Sequence, residues 1–108
     1  MKIITLHKPI NIESLFNHLK ENLNAIFHEQ RQSDIDFIIE RRDDTIEISQ
    51  PAYYFEVLFR IAVKGNELHI TRSEHYIDDV NCLTIESILN NLFEDIAGNL
   101  GTDLVLEG

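Results

Sequence analysis

The fold is decided by residues 53 to 64, which read Tyr53-Tyr54-Phe55-Glu56-Val57-Leu58-Phe59-Arg60-Ile61-Ala62-Val63-Lys64. Every odd position is aromatic or β-branched, whereas the even positions mix charged, polar and apolar residues. Such alternation predicts a long β-strand with one dry face and one wet face. We therefore predict that the odd side chains form the floor of the core, namely Tyr53, Phe55, Val57, Phe59, Ile61 and Val63.

Two β-hairpins are predicted around this strand. The strand itself turns at Gly65-Asn66, which suits a tight turn and pairs Lys64 with Glu67. Upstream, residues 35 to 40 and 45 to 48 also alternate, with a turn at residues 42 and 43 or at residues 43 and 44. Either turn places the same apolar side chains on one face of the sheet: Phe37, Ile39, Ile46 and Ile48.

Two amphipathic helices and two terminal strands complete the pattern. Apolar residues spaced three and four apart predict a helix over residues 11 to 30, capped by Asn11. A second helix is predicted to begin near Thr84, after an acidic loop over residues 73 to 82. Short strands are predicted before Pro9 and over residues 103 to 107.

The predicted order is β-α-β-β-β-β-α-β in a single domain spanning residues 1 to 108. Because both helices need an apolar surface to pack against, we predict an α+β fold. It is a two-layer sandwich of a mainly antiparallel sheet of four to six strands with both helices on one face. The far face would then expose a semi-apolar set that would allow a homodimer: Ile38, Tyr54, Leu58, Ala62 and His69.

Charge is distributed unevenly along the chain, whose formal net charge is −10. Residues 1 to 72 contain all nine Lys and Arg and eleven carboxylates, whereas residues 73 to 108 contain eight carboxylates and no Lys or Arg. Such a field repels nucleic acid and anionic lipid and attracts basic proteins. We therefore expect a basic protein partner, with neither direct nucleic-acid binding nor membrane binding; a purely solubilising role is the alternative.

Cofactor and catalytic motifs are missing from the sequence. Neither of the glycine patterns that cradle phosphates occurs, so we expect no nucleotide cofactor. The single Cys82 cannot form an intramolecular disulfide and indicates a reducing, cytoplasmic setting. We expect it to be a buried, inert thiol at a helix start, the alternative being a nucleophile activated by His75.

One cluster has ligands of a type that could hold a divalent cation: Glu74, His75, Asp78 and Asp79. Its spacing matches no established metal site, so we expect a solvated loop and no bound metal. Together these features predict a protein that is not an enzyme and whose activity is its surface.

The favoured function is that of a small acidic inhibitor of the immunity-protein or antitoxin type, covering the basic active-site groove of a toxin, with a nuclease as the expected target. Carboxylates placed where the phosphates of a substrate would bind attract the toxin electrostatically and also block its active site. The predicted partner-binding residues all lie in the last third of the chain: Glu74, Asp78, Asp79, Glu86, Glu94 and Asp95.

Two other functions fit the same pattern. An acidic homodimeric chaperone that holds a secreted effector would use the semi-apolar sheet face as its contact. In addition, the helix, sheet, helix order with Ser33-Asp34-Ile35-Asp36 opening the first hairpin is loosely similar to the frataxin family, although this chain has no tryptophan. That resemblance implies iron binding on acidic ridges.

Overall fold

The computed structural model describes the backbone of residues 2–97 and 105–107. Its elements follow the predicted order and have these bounds: β1 Lys2–Thr5, α1 Ile12–Arg31, β2 Ile38–Arg42, β3 Thr45–Ser49, β4 Phe59–Lys64, β5 Glu67–Arg72, a short 3-10 helix Glu74–Tyr76, α2 Val80–Ala97 and β6 Val105–Glu107. The predicted α+β fold is thus confirmed. Of the predicted closing strand, Asp103 and Leu104 lie outside the described residues.

The strands form one six-stranded sheet in the order β2-β3-β4-β5-β1-β6, and each neighbouring pair is antiparallel. The second hairpin has the predicted register, with Lys64 opposite Glu67. In the first hairpin Arg42 lies opposite Thr45, so residues 43 and 44 make the turn. Each turn contains a residue with positive φ, namely Asp43 at 53° and Gly65 at 62°. Gly65 adopts this conformation without strain because glycine has no Cβ.

Both helices pack on one face of the sheet and enclose a single core. On α1 the side chains of Leu15, Leu19, Leu23 and Phe27 are buried, and Asn11 caps the helix by accepting a hydrogen bond from the Ser14 backbone N–H at 3.1 Å. β2 begins at Ile38 and not at the predicted residue 35, because the Phe37 backbone bonds to the Asn24 side chain of α1. Phe37 and the strands still contribute the predicted side chains to the core: Phe37, Ile39, Ile46, Ile48, Phe59, Ile61 and Val63.

The strand prediction was wrong for residues 53 to 58, because β4 begins only at Phe59. Tyr53 and Phe55 are 65% and 76% exposed rather than buried, whereas Tyr54 and Leu58 are only 7% and 1% exposed. The predicted core residue Val57 is half-buried.

The physical reason is a turn that follows β3. The backbone N–H groups of Tyr53 and Tyr54 both donate to the Gln50 carbonyl, at 3.0 and 2.9 Å. These bonds curl the chain after Pro51, so residues 53 to 58 do not have the alternation of an extended strand.

The far face of the sheet is more polar than predicted because Tyr54 and Leu58 are buried instead. Ala62 and His69 remain there, half-buried and opposite each other. Glu47 lies between two arginines, 3.2 Å from Arg42 Nε and 2.8 Å from Arg60 Nε. A dimer through this face would therefore bury fewer apolar side chains than the sequence predicted.

The second helix begins at Val80, four residues before the predicted start at Thr84. Thr84 lies inside the helix, where its hydroxyl donates to the Val80 carbonyl at 2.8 Å. Asp79 caps the helix instead, because its Oδ2 accepts the Cys82 backbone N–H at 3.0 Å. In the described part of the chain, neither helix is long and apolar enough to span a bilayer.

Candidate binding surface

Two segments meet at one end of the sheet, where β3 and β5 finish and β4 begins. The first is residues 50–57, which follow β3, and the second is residues 73–83, which follow β5 and include the first turn of α2. We call the surface formed by these two segments the end surface. The sheet holds them side by side, because Phe59 pairs with Arg72 and the Ser73 N–H donates to the Leu58 carbonyl at 2.8 Å.

A buried hydroxyl joins the two segments. Tyr54 donates to Asp79 Oδ2 at 2.9 Å, and Asn81 Nδ2 donates to the Tyr54 hydroxyl at 3.2 Å. Burial raises the pKa of Tyr54 from 10.0 to about 12, with the hydrogen bond from Asn81 lowering it and the neighbouring Asp79 carboxylate raising it. The phenol is therefore neutral at physiological pH and serves as a donor that fixes the loop to the helix.

Aromatic rings pack across the same junction. The Tyr54 and Tyr76 rings meet edge to face with centroids 4.8 Å apart, and the Phe55 ring lies 5.7 Å from Tyr76 and 5.2 Å from His75. The Phe55 backbone N–H also donates to the Tyr76 hydroxyl at 3.3 Å. Phe55 is thus held in place although most of its side chain faces solvent.

Glu56 ties the second loop to the first. Ser73 Oγ donates to the Glu56 carboxylate, and His75 Nδ1 lies 2.9 Å from Glu56 Oε1. These hydrogen bonds, first from Ser73 and then from His75, hold the pKa of Glu56 below its usual range. A nucleophilic relay would place the imidazole between hydroxyl and carboxylate, whereas here both groups bind the carboxylate, so the arrangement orders the loop.

Large apolar side chains are concentrated on the end surface. In the described part of the chain six large hydrophobic side chains are exposed, and all but Ile38 belong to it: Tyr53, Phe55, Ile77, Val80 and Leu83. Full burial of a large apolar side chain contributes about 1.5–3 kcal/mol, and each of these side chains forgoes part of that amount. A surface that concentrates exposed apolar side chains is therefore a candidate interaction site.

The same surface is acidic. Its two segments contain four carboxylates, Glu56, Glu74, Asp78 and Asp79, and no Lys or Arg. Glu74 and Asp78 are exposed on it. Protein–protein interfaces combine apolar side chains with charged ones, and the end surface supplies both kinds.

Cys82 lies beneath this surface and is buried, as the sequence predicted. Burial, and secondly the Asp79 carboxylate, raise the pKa of Cys82 from 9.0 to about 12. Because the thiolate is the nucleophilic form, this thiol is held in its unreactive state at neutral pH. His75 pairs with Glu56 and not with Cys82.

The structure separates the six predicted partner-binding carboxylates into two groups. Glu74, Asp78 and Asp79 lie on the end surface, but only Glu74 and Asp78 are exposed there. Asp79 is half-buried, because it caps α2 and accepts the Tyr54 hydroxyl. Glu74 and Asp78 are therefore free to face a partner, and Asp79 shapes the surface.

The other three carboxylates lie along α2 and point in different directions. Asp95 follows Glu86 by nine residues, which at about 100° per residue places the two on opposite sides of the helix. Glu86 pairs with Arg72 on the sheet at 3.0 Å, while Asp95 lies 3.5 Å from His18 Nε2 on α1. Glu94 is exposed between them. These three residues therefore contribute to the general field and do not form one patch with the end surface.

A groove of about 590 Å³ lies beside the end surface, between α2 and the ends of β1 and β5. Phe59, Ile70 and Phe93 form part of its apolar lining. Its two cations have partners, since Lys2 Nζ donates to Asn90 Oδ1 at 2.9 Å and Arg72 pairs with Glu86. The groove therefore adds depth beside the end surface without adding free positive charge.

The candidate cation ligands Glu74, His75, Asp78 and Asp79 do not converge in the folded chain. His75 lies against Glu56, and Asp79 accepts the Tyr54 hydroxyl, so both have partners outside the cluster. Over residues 2–95, no group of three or more His, Cys, Asp or Glu side chains is placed to hold a metal ion. Asp36, which carries part of the frataxin resemblance, lies 2.8 Å from His28 Nε2.

Sequence reasoning missed the apolar part of this surface. The alternation places Tyr53 and Phe55 in the core, and no sequence pattern assigns a role to Ile77, Val80 or Leu83. A signal was present in Pro51, which sits two residues before Tyr53 and is typical of turns, and in the run of apolar residues interleaved with carboxylates over residues 74 to 83.

Comparisons of the chain with protein-family models, with curated protein sequences and with solved structures found no match.

Proposed function

We propose that this chain is a non-catalytic binding protein that acts as an inhibitor of the immunity-protein or antitoxin type. Its target would be a toxin with a basic active-site groove, and a nuclease is the enzyme class that best fits such a groove. The observation that carries the proposal is the composition of the end surface, whose two segments contain four carboxylates, five exposed large apolar side chains and no Lys or Arg.

The physical argument is electrostatic mimicry of a substrate. A nuclease binds phosphates with Lys and Arg, so the exposed carboxylates of Glu74 and Asp78 would meet the same cations. The field of the whole chain, at a net charge of −10, would accelerate the encounter. Apolar contacts would then slow dissociation, since charge mainly governs the association rate.

We propose a cytoplasmic site of action. Cys82 is a free, buried thiol, and a chain with one unpaired cysteine fits a reducing compartment. An inhibitor that protects a cell from a toxin made in the same cytoplasm would need to act there.

The experiment is affinity purification from the native host, followed by an activity assay on the captured protein. We expect a partner of high isoelectric point, recovered at one to one, whose nuclease activity is abolished by one equivalent of this chain and restored on dissociation. A captured protein that is acidic would contradict the proposal. A captured protein that remains fully active in the complex, or that is held by a homodimer of this chain, would favour the secretion-chaperone function instead.

A further inference from the structure

We propose that the end surface, and not the outer face of α2 that carries Glu94 and Asp95, is the contact centre. Its occupant is a basic protein segment presenting a large apolar side chain between Lys or Arg residues. This inference rests on the proposed function in one respect, namely that the partner is a basic protein. It adds where that protein binds and which side chains it must bring.

The apolar requirement follows from the exposed side chains. Tyr53 and Phe55 are the two most exposed large hydrophobic residues of the described chain, at 65% and 76%. Aromatic residues at the centre of an interface account for most of its binding energy, and they need an apolar counterpart to exclude water. A partner that offered only charges would leave these rings half-solvated.

The requirement that the partner be positively charged follows from the carboxylates of the end surface. The two segments carry four carboxylates and no Lys or Arg. Arg60 and Arg72 line a groove together with Glu56 and Glu74, but they pair with Glu47 and Glu86, so an occupant experiences a net negative potential. A second copy of this chain, docked through the same surface, would bring its own four carboxylates against these. Like-charge juxtaposition across an interface disfavours that arrangement, so the charge complementarity selects a basic partner over a homodimer.

The surface is also preorganised. Phe55 packs on Tyr76 and His75, and the Tyr54 and Glu56 hydrogen bonds on either side of it fix the loop. Ordering a loop on binding costs free energy that a preordered loop has already lost. The outer face of α2 lacks such a feature, because Glu94 and Asp95 stand there without a large exposed apolar neighbour among residues 84–95.

The test is selection of peptides from a random 12-residue phage library on the wild-type chain. Single selected peptides are then synthesised, and their affinities are measured for wild type, for the double variant Tyr53→Ser/Phe55→Ser, and for the double variant Glu94→Lys/Asp95→Lys as the control. All four substituted side chains are exposed, and circular dichroism of each variant verifies that the fold is retained.

The expected peptides have at least two Lys or Arg in excess of Asp and Glu and at least one Phe, Tyr, Trp or Leu. Their affinity should fall by about tenfold or more on Tyr53→Ser/Phe55→Ser and by only about twofold to threefold on Glu94→Lys/Asp95→Lys. Basic peptides that bind the aromatic variant as well as wild type would overturn this inference but leave the proposed function standing.

Other outcomes are equally decisive. Selected peptides that are neutral or acidic would overturn both the inference and the proposed function. A library that yields no peptide preferring wild type over Tyr53→Ser/Phe55→Ser would overturn the inference. Sedimentation that shows a wild-type dimer, lost in the aromatic variant, would identify the occupant as a second copy and overturn it as well.

Discussion

The Tyr54 hydroxyl donates a hydrogen bond to Asp79 Oδ2 at 2.9 Å, across 25 positions of the chain. The same carboxylate oxygen accepts the Cys82 backbone N–H and so caps α2. One oxygen thus connects the loop after β3 with the start of the second helix. The shape of the end surface depends on this contact, because Tyr53 and Phe55 flank Tyr54 in sequence.

Removing the Asp79 carboxylate should destabilise the protein. Asp79→Ala loses both the helix cap and the acceptor of a buried hydroxyl, and we expect a cost of about 2–4 kcal/mol in the free energy of unfolding. The adjacent Asp78→Ala is the matched control, because Asp78 is exposed, and its effect should stay within about 0.5 kcal/mol. Urea denaturation measures both variants, and equal midpoints for the two would contradict the structural role of Asp79.

Alanine substitutions around the start of β4 should distinguish core side chains from surface side chains by their effect on the free energy of unfolding. Phe59→Ala should cost about 3–5 kcal/mol and Leu58→Ala about 2–5 kcal/mol, because both side chains are buried. Phe55→Ala should change stability by less than about 0.5 kcal/mol, since the ring is mostly exposed. If thermal unfolding showed Phe55→Ala to be as damaging as Phe59→Ala, the predicted long strand would be right and the turn after β3 wrong.

The sequence predicted the architecture because local patterns suffice for it. The stripe that ends at Phe27 has the period of a helix, and the Gly65-Asn66 turn sets the register of its hairpin. The strand predicted from alternation over residues 53 to 58 was wrong for two reasons. The chain turns at Gln50, and the Tyr54 hydroxyl bonds to Asp79. A hydrogen bond between residues so far apart leaves no local period.

The candidate site was predictable only in its charge. Counting carboxylates identified the acidic last third, including the exposed Glu74 and Asp78. It could not show that Asp79 is used as a cap, nor that Asp95 faces His18 on the other helix. The apolar centre of the end surface depends on which side chains remain exposed after folding, and that follows from tertiary packing.

Cys82 should be nearly unreactive in the folded protein. With a pKa raised to about 12 by burial and by Asp79, only about one thiol in ten thousand is ionised at pH 8. Labelling with a chromogenic disulfide reagent at pH 8 should therefore be at least about a hundredfold slower than labelling of the same chain in urea. Rapid stoichiometric labelling of the native protein would instead indicate an accessible, activated thiol.

Stability should fall at alkaline pH through Tyr54. Its pKa is raised on folding from 10.0 to about 12, so the unfolded chain releases the phenolic proton first. The stabilising contribution is therefore complete below pH 10 and is lost as the pH rises towards 12. Tyr54→Phe cannot ionise, so the stability difference between wild type and this variant should shrink over that range, by chemical denaturation at each pH. A difference that stays constant from pH 9 to 12 would contradict the buried, neutral phenol.

The most direct test of the central claim is the association rate of the captured partner with wild type and two charge reversals. Glu74→Lys/Asp78→Lys reverses the end surface, and Glu94→Lys/Asp95→Lys reverses the outer face of α2. Each lowers the magnitude of the net charge equally, from −10 to −6. Rates are measured by stopped flow in about 20 mM and about 500 mM salt, where the Debye length falls several-fold.

We expect both reversals to slow association by about tenfold or more at low salt and far less at high salt, because steering depends on the summed field. Only Glu74→Lys/Asp78→Lys should also speed dissociation, because those two carboxylates lie at the contact. Association rates that respond neither to salt nor to either reversal would contradict the account and leave the acidic third of the chain as a solubilising surface.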